Sequence, residues 1–107
     1  MNIQLKKGIL ELCVLYLLNK QDCYGYELVS IISKNILISE GTIYPLLKRL
    51  KDDGCFETYL QESQEGPPRK YYRITEKGIN KKKQLLTEWE AVSAGVRKIM
   101  EETISSE

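Results

Sequence analysis

The sequence predicts a mainly α-helical chain with a small β-hairpin: a winged helix-turn-helix followed by a long C-terminal helix. Three observations carry that reading. Apolar residues recur at helical spacing in successive segments between residues 3 and 53, separated by turn-forming runs. Next come two segments rich in aromatic and β-branched residues, joined by "SQEGPP", which read as a hairpin. From residue 76 onward a single helical pattern runs almost to the end of the chain. Helix, helix, helix, hairpin is the order of a winged helix, and the last helix is too long for that core alone.

The first helix spans residues 3 to about 19, with Ile3, Leu5, Ile9, Leu10, Leu12, Cys13, Leu15, Tyr16 and Leu17 dense enough for a largely buried element. "NKQDCYG" is a turn. Residues 24–35 form a second helix with Tyr24, Leu28, Ile31 and Ile32 on one side. Ser39 is a candidate N-cap for a third helix, and Gly54 is its natural stop. Thr75 is the candidate cap of the last helix, which reaches roughly Ile104. The predicted division is a DNA-binding unit at residues 1–75 and a dimerisation helix at residues 76–107.

Composition excludes more than it selects. Net charge is +1, but residues 39–83 carry ten basic and seven acidic groups, whereas residues 84–107 carry two and five. A basic middle and an acidic tail allow a local basic face on a nearly neutral chain. There is no histidine, no phosphate loop and no nucleophile-elbow pattern, so an enzyme is not expected. Cys13, Cys23 and Cys55 are odd in number and widely spaced. They make a poor disulfide framework and cannot supply a zinc site, so neither metal nor cofactor is expected. The apolar N-terminal run superficially resembles a leader, but Glu11 interrupts it and no cleavage site follows. A cytoplasmic protein without a membrane span is the expectation.

The third helix is unusual. "SEGTIYPLLKRLKDDG" places Ile43, Leu47 and Leu50 on one face, with Gly41, Pro45 and Lys48 opposite and Tyr44, Thr42 and Arg49 on the flanks. A helix that only had to pack would favour alanine or leucine at its front. Small, stiff, hydroxyl-bearing and basic residues instead suit a helix entering a DNA groove N-terminus first. Gly41 lets backbone approach a phosphate. Ser39, Thr42 and Tyr44 can donate to phosphate oxygens, and Lys48 and Arg49 can meet phosphates or guanine edges. The hairpin adds Gly66, Pro67 and Pro68 as a stiff tip with Arg69 and Lys70 as basic shoulders. Double-stranded DNA is the expected partner; a protein-binding adaptor is the alternative.

In the last helix, Leu85, Trp89, Val92, Val96, Ile99 and Thr103 repeat in alternating steps of four and three, widened by Leu86, Ser93 and Met100. That seam predicts a homodimer, with Leu5 and Ile9 of the first helix contributing. A residue near a twofold axis faces its own copy. Trp89 there, beside Val92, either packs between subunits or stacks a planar aromatic or cationic small molecule.

"YGYEL" at 24–28, "GTIYPLLKRLKDDG" at 41–54 and "GPPRKYYRITEKG" at 66–78 resemble the signature segments of the PadR family of bacterial winged-helix transcriptional regulators. Cys55 departs from that pattern, where leucine would follow the glycine. The resemblance, to the compact subgroup with a single C-terminal helix, implies a homodimer that binds a pseudo-palindromic operator and represses. It implies recognition roles for Tyr44, Lys48, Arg69 and Lys70, and backbone approach at Tyr24 and Gly25. The "TEWEAV" match around Trp89 resembles multidrug-responsive members, whose dimer interfaces bind planar hydrophobic drugs.

Overall fold

A computed structural model describes the backbone of residues 3–106 and the side chains of residues 8–102. Its elements are α1 (Ile3–Lys20), β1 (Cys23–Tyr24), α2 (Gly25–Asn35), α3 (Glu40–Asp52), β2 (Phe56–Ser63), β3 (Gly66–Ile74) and α4 (Glu76–Ser106). α1, α2 and α3 enclose a core built from Leu10, Val14, Leu15, Leu18, Leu28, Ile32, Ile43, Leu47 and Leu50, which Phe56 of β2 closes from the side. Tyr16, assigned to the apolar set of the first helix, instead lies on the outside between Lys20 and Lys82, whose ammonium groups sit 5.1 and 5.7 Å from its ring centre.

The sheet departs from a two-stranded hairpin. Cys23, predicted to lie in a turn, and Tyr24, predicted to open the second helix, form a short strand antiparallel to β3, giving the order β1-β3-β2. Gly66, Pro67 and Pro68 are not the tip. The turn is Gln64–Glu65, and the three residues open β3. The register slips between Gln61 and Ser63, so Glu62 faces two residues rather than one. Proline donates nothing to a ladder and therefore sits at bulges and open edges; at this end of β3, β1 has already stopped.

The junctions are built from local chemistry. At the end of α3 the Cys55 amide donates to Leu50 and the Gly54 amide to Lys51, each at 2.9 Å. This is a Schellman closure, and it needs the positive φ of 80° at Gly54. Thr75 caps α4 as predicted, accepting from the Gly78 amide at 3.2 Å, while its hydroxyl donates to the Gly54 carbonyl at 2.6 Å. Ser39 occupies the N-cap position of α3 but makes no side-chain cap. Its hydroxyl meets that of Thr42 at 3.2 Å.

The first turns of α4 belong to the same body as the wing, with Leu85 packed on the core. Beyond them the helix projects, and the longest dimension reaches 61 Å. Leu5 and Thr103, expected in the seam, lie outside the residues whose side chains are described.

Gly78 is where α4 meets the end of α3. A Cβ there would overlap the Cys55 carbonyl and press on Ile74. Gly78→Ala is therefore expected to lower stability by about 1–3 kcal/mol, the usual cost of overpacking. The helix preference of alanine, about 1 kcal/mol, works in the other direction but is outweighed because a backbone carbonyl cannot swing aside. Urea denaturation checks this, and a midpoint at or above that of the wild type refutes it.

Candidate nucleic-acid interface

α3 buries Ile43, Leu46, Leu47 and Leu50 and leaves Gly41, Thr42, Tyr44, Pro45 and Lys48 exposed. Pro45 lies inside the helix. It cannot donate to the carbonyl four residues earlier, that of Gly41. A Cβ at Gly41 would meet only the Ser39 hydroxyl, at 3.8 Å, so nothing in the chain itself requires glycine there. Gly25 differs. A Cβ at Gly25 would come within 3.0 Å of the Tyr72 hydroxyl, so internal packing already accounts for that glycine.

Between α3 and the wing lies a groove of about 280 Å³. Lys48 and Lys51 of α3 and Lys70 of β3 converge on it, with Tyr44, Thr58 and Tyr72. Burial, and then the neighbouring Tyr44, push the Tyr72 phenol above its usual range, so it remains a neutral hydroxyl. Lys48 pairs with Asp52 at 3.1 Å, but both are exposed and one turn apart. Such a pair contributes little and yields readily to a stronger anion. Three lysines, against the single carboxylate of Asp52 on the same wall, leave the groove net positive, and with two phenols and a hydroxyl they match the donors that phosphate oxygens require.

Arg49 is not part of this groove. It turns inward to Glu11 of α1, with 3.0 Å between the guanidinium and one carboxylate oxygen. Lys81 of α4 approaches the other oxygen at 3.4 Å. The Glu11 side chain is only 9% exposed, so its charge must be compensated from within the chain. Arg49, expected to meet phosphates or guanine edges, is thus held in a structural ion pair, because the only buried carboxylate among the described residues lies beside it.

The wing separates Arg69 from Lys70. Strand alternation sends Lys70 and Tyr72 toward α3 and Arg69, Tyr71 and Arg73 to the outer face. There the Arg69 guanidinium lies 4.7 Å from the centre of the Tyr24 ring.

A sequence profile of the transcriptional regulator PadR-like family matches residues 14–84. The chain belongs to the PadR-like family. A solved PadR-like transcriptional regulator from Bacillus cereus is 40% identical, covers 91% of this chain and 96% of its own, and superposes with a TM-score of 0.81. A Streptococcus transcriptional regulator is 34% identical over 92% of this chain and 99% of its own, with a TM-score of 0.84. An uncharacterised protein of Lysinibacillus sphaericus is 34% identical over 99 residues, 89% of this chain and 91% of the relative.

As a PadR-like protein the chain is a DNA-binding transcriptional regulator and not an enzyme. No helix among the described residues is long and apolar enough to cross a membrane. Two residues of the groove, Lys51 and Thr58, escaped the sequence reading. Lys51 was within reach, since it follows Tyr44 by seven residues, two helical turns, and so shares its face. Thr58 had no sequence signal, because only the β2–β3 register opposes it to Tyr72.

The cysteines offer no reactive group. Burial, followed by the charge of Glu27, pushes the Cys23 thiol up to about 11, so it is neutral at physiological pH. Burial also raises Cys13 and Cys55.

Glu11→Gln keeps the shape of the side chain and removes its charge. It is expected to lower stability by about 1–3 kcal/mol. The larger cost of breaking a fully buried pair does not apply, because Arg49 and Lys81 are partly exposed and can rehydrate. An unchanged melting temperature excludes a stabilising role for the triad.

Proposed function

We propose that this regulator is a cytoplasmic homodimeric repressor that binds a pseudo-palindromic operator through α3 and the wing. The convergence of Lys48, Lys51 and Lys70 on the groove beside Tyr44 carries the reading. Gly41 supports it, as a glycine that no internal contact demands. Residues up to 75 form the DNA-binding unit in this reading, and α4 joins the subunits. The exposed stripe of Trp89 (44%), Val92 (56%), Val96 (49%), Ile99 (65%) and Met100 (54%) supports that role. A contiguous apolar surface of that kind is costly to leave in water.

Trp89 also lines two apolar cavities, one of about 180 Å³ with Ile9, Leu12, Leu85 and Val92, the other of about 320 Å³ with Cys13, Tyr16, Ile32 and Leu86. We infer that a planar aromatic or cationic molecule stacks on Trp89, with Glu88 at the rim favouring a cation, and releases the operator.

A band shift on the DNA upstream of its own gene tests the first part. Specific binding is expected to weaken steeply with salt. Tyr44→Ala and Lys48→Ala are each expected to cost roughly 1–3 kcal/mol of operator affinity without lowering the melting temperature. No binding to any duplex at low salt would leave the adaptor reading instead.

Sedimentation equilibrium tests the second part. It should give about twice the 12.4 kDa chain mass, and Val92→Glu with Val96→Glu should give the monomer. Planar cationic dyes such as ethidium should quench the single tryptophan saturably in the dimer and not in that variant. A wild-type monomer at micromolar concentration refutes the dimer, and equal quenching of both species refutes the interface site.

A further inference from the structure

The outer face of the sheet carries a stack of side chains that lies outside the groove between α3 and the wing. Tyr24 of β1, Tyr71 of β3 and Tyr59 of β2 lie side by side across the three strands, paired in register as Tyr24 with Tyr71 and Tyr71 with Tyr59. Tyr24 meets Tyr71 edge-on at 5.5 Å between ring centres, and Tyr71 stacks on Tyr59 at 5.8 Å. An arginine closes each end. Arg69 lies 4.7 Å from the Tyr24 ring centre and Arg73 4.5 Å from that of Tyr59.

The two ends differ in charge. At the Arg73 end, Asp22 accepts a hydrogen bond from the Tyr59 phenol at 2.6 Å and lies 3.5 Å from the Arg73 guanidinium. That bond, the largest cause, raises the Tyr59 phenol above its ordinary range and keeps it a donor. Arg73 is therefore neutralised within the chain. Among the described residues Arg69 has no carboxylate within ion-pair distance. Its charge is held only by an aromatic face, which orients a guanidinium without discharging it.

We propose that Tyr24 is the positioning residue for Arg69: it holds the guanidinium on the outer face of the wing, ready for a DNA phosphate, rather than touching DNA itself. The proposal rests on the reading of the wing as a phosphate-binding element. A flexible arginine must lose rotamer freedom when it binds, and one already stacked has lost part of it. Anchoring through Tyr71 and Tyr59 to Asp22 ties the stack to the loop after α1, so the position of Arg69 is referred to the body and not to the hairpin alone.

The test is a set of affinities for a fluorescein-labelled mixed-sequence duplex across roughly 50–200 mM salt. Arg69→Ala should weaken binding about tenfold. It should also lower the salt slope by about one. Tyr24→Leu should move affinity and slope toward the same values although it removes no charge, and adding it to Arg69→Ala should change nothing further. Tyr24→Phe, which keeps the ring, should bind as the wild type does.

No effect of Arg69→Ala overturns the wing reading and the proposal with it. An effect of Arg69→Ala combined with a wild-type slope for Tyr24→Leu overturns the positioning role alone. Equal losses in Tyr24→Phe and Tyr24→Leu overturn it too, since the hydroxyl would then be the working group. NMR order parameters of the arginine Nε groups in the unaltered protein give a test independent of any variant. Arg69 should be more ordered than the exposed Arg97, and equal mobility refutes the stack as a positioning device.

Discussion

Glu11 sits where α1, α3 and α4 meet, and its carboxylate is compensated by one cation from each of the other two helices. A charge taken out of water costs several kcal/mol unless it is paired. The three helices are therefore constrained to bring Arg49 and Lys81 to the same place. That fixes the rotation of α3 about its axis. With Arg49 turned inward, Lys48 and Tyr44 are carried to the exposed side at 100° per residue. It fixes α4 in the same way. With Lys81 facing α1, Leu85 one turn later faces the core, and the apolar stripe beyond it continues along a face that the body no longer covers.

A second constraint acts where α3 ends. The positive φ of Gly54, the Thr75 hydroxyl on the Gly54 carbonyl and the contact of Gly78 with Cys55 join the end of α3, the base of the wing and the start of α4 within a few residues. The wing is thus hung from the same corner that orients the recognition-type helix. Cys55 is completely buried at that corner. The closeness of Gly78 to its carbonyl means that backbone, not side chain, fills the space there.

From that corner, the pleat of the sheet distributes the charges. Period-two alternation gives Lys70 to the groove beside α3 and Arg69 to the outer face, although the two are adjacent in sequence. One basic dipeptide thereby serves two surfaces. The groove gathers ammonium groups, which are compact and strongly hydrated; the outer face holds guanidinium groups, which stack on phenol rings. Asp22 keeps one of those guanidiniums for the fold and leaves the other unpaired among the described residues.

Much of this architecture was legible in the residues themselves. The helices, the glycine stop at Gly54 and the cap at Thr75 depend on neighbours within a turn, so periodicity and capping chemistry suffice to find them. The exposure of Gly41, Tyr44 and Lys48 followed in the same way from the helical repeat. What escaped depends on partners far along the chain. β1 has two residues and no periodic signature; it exists only because β3 passes beside it. Arg49 reads as a basic flank until Glu11, 38 positions earlier, is folded against it. Pro67 and Pro68 read as a tip, because the bulge that admits them into β3 is a property of two strands paired together. Local chemistry, acting within a turn or so of the chain, determined the elements and their exposed faces. Tertiary structure alone decided which cations are neutralised and which remain unpaired, because a buried charge is compensated by whatever the fold brings within a few ångströms of it.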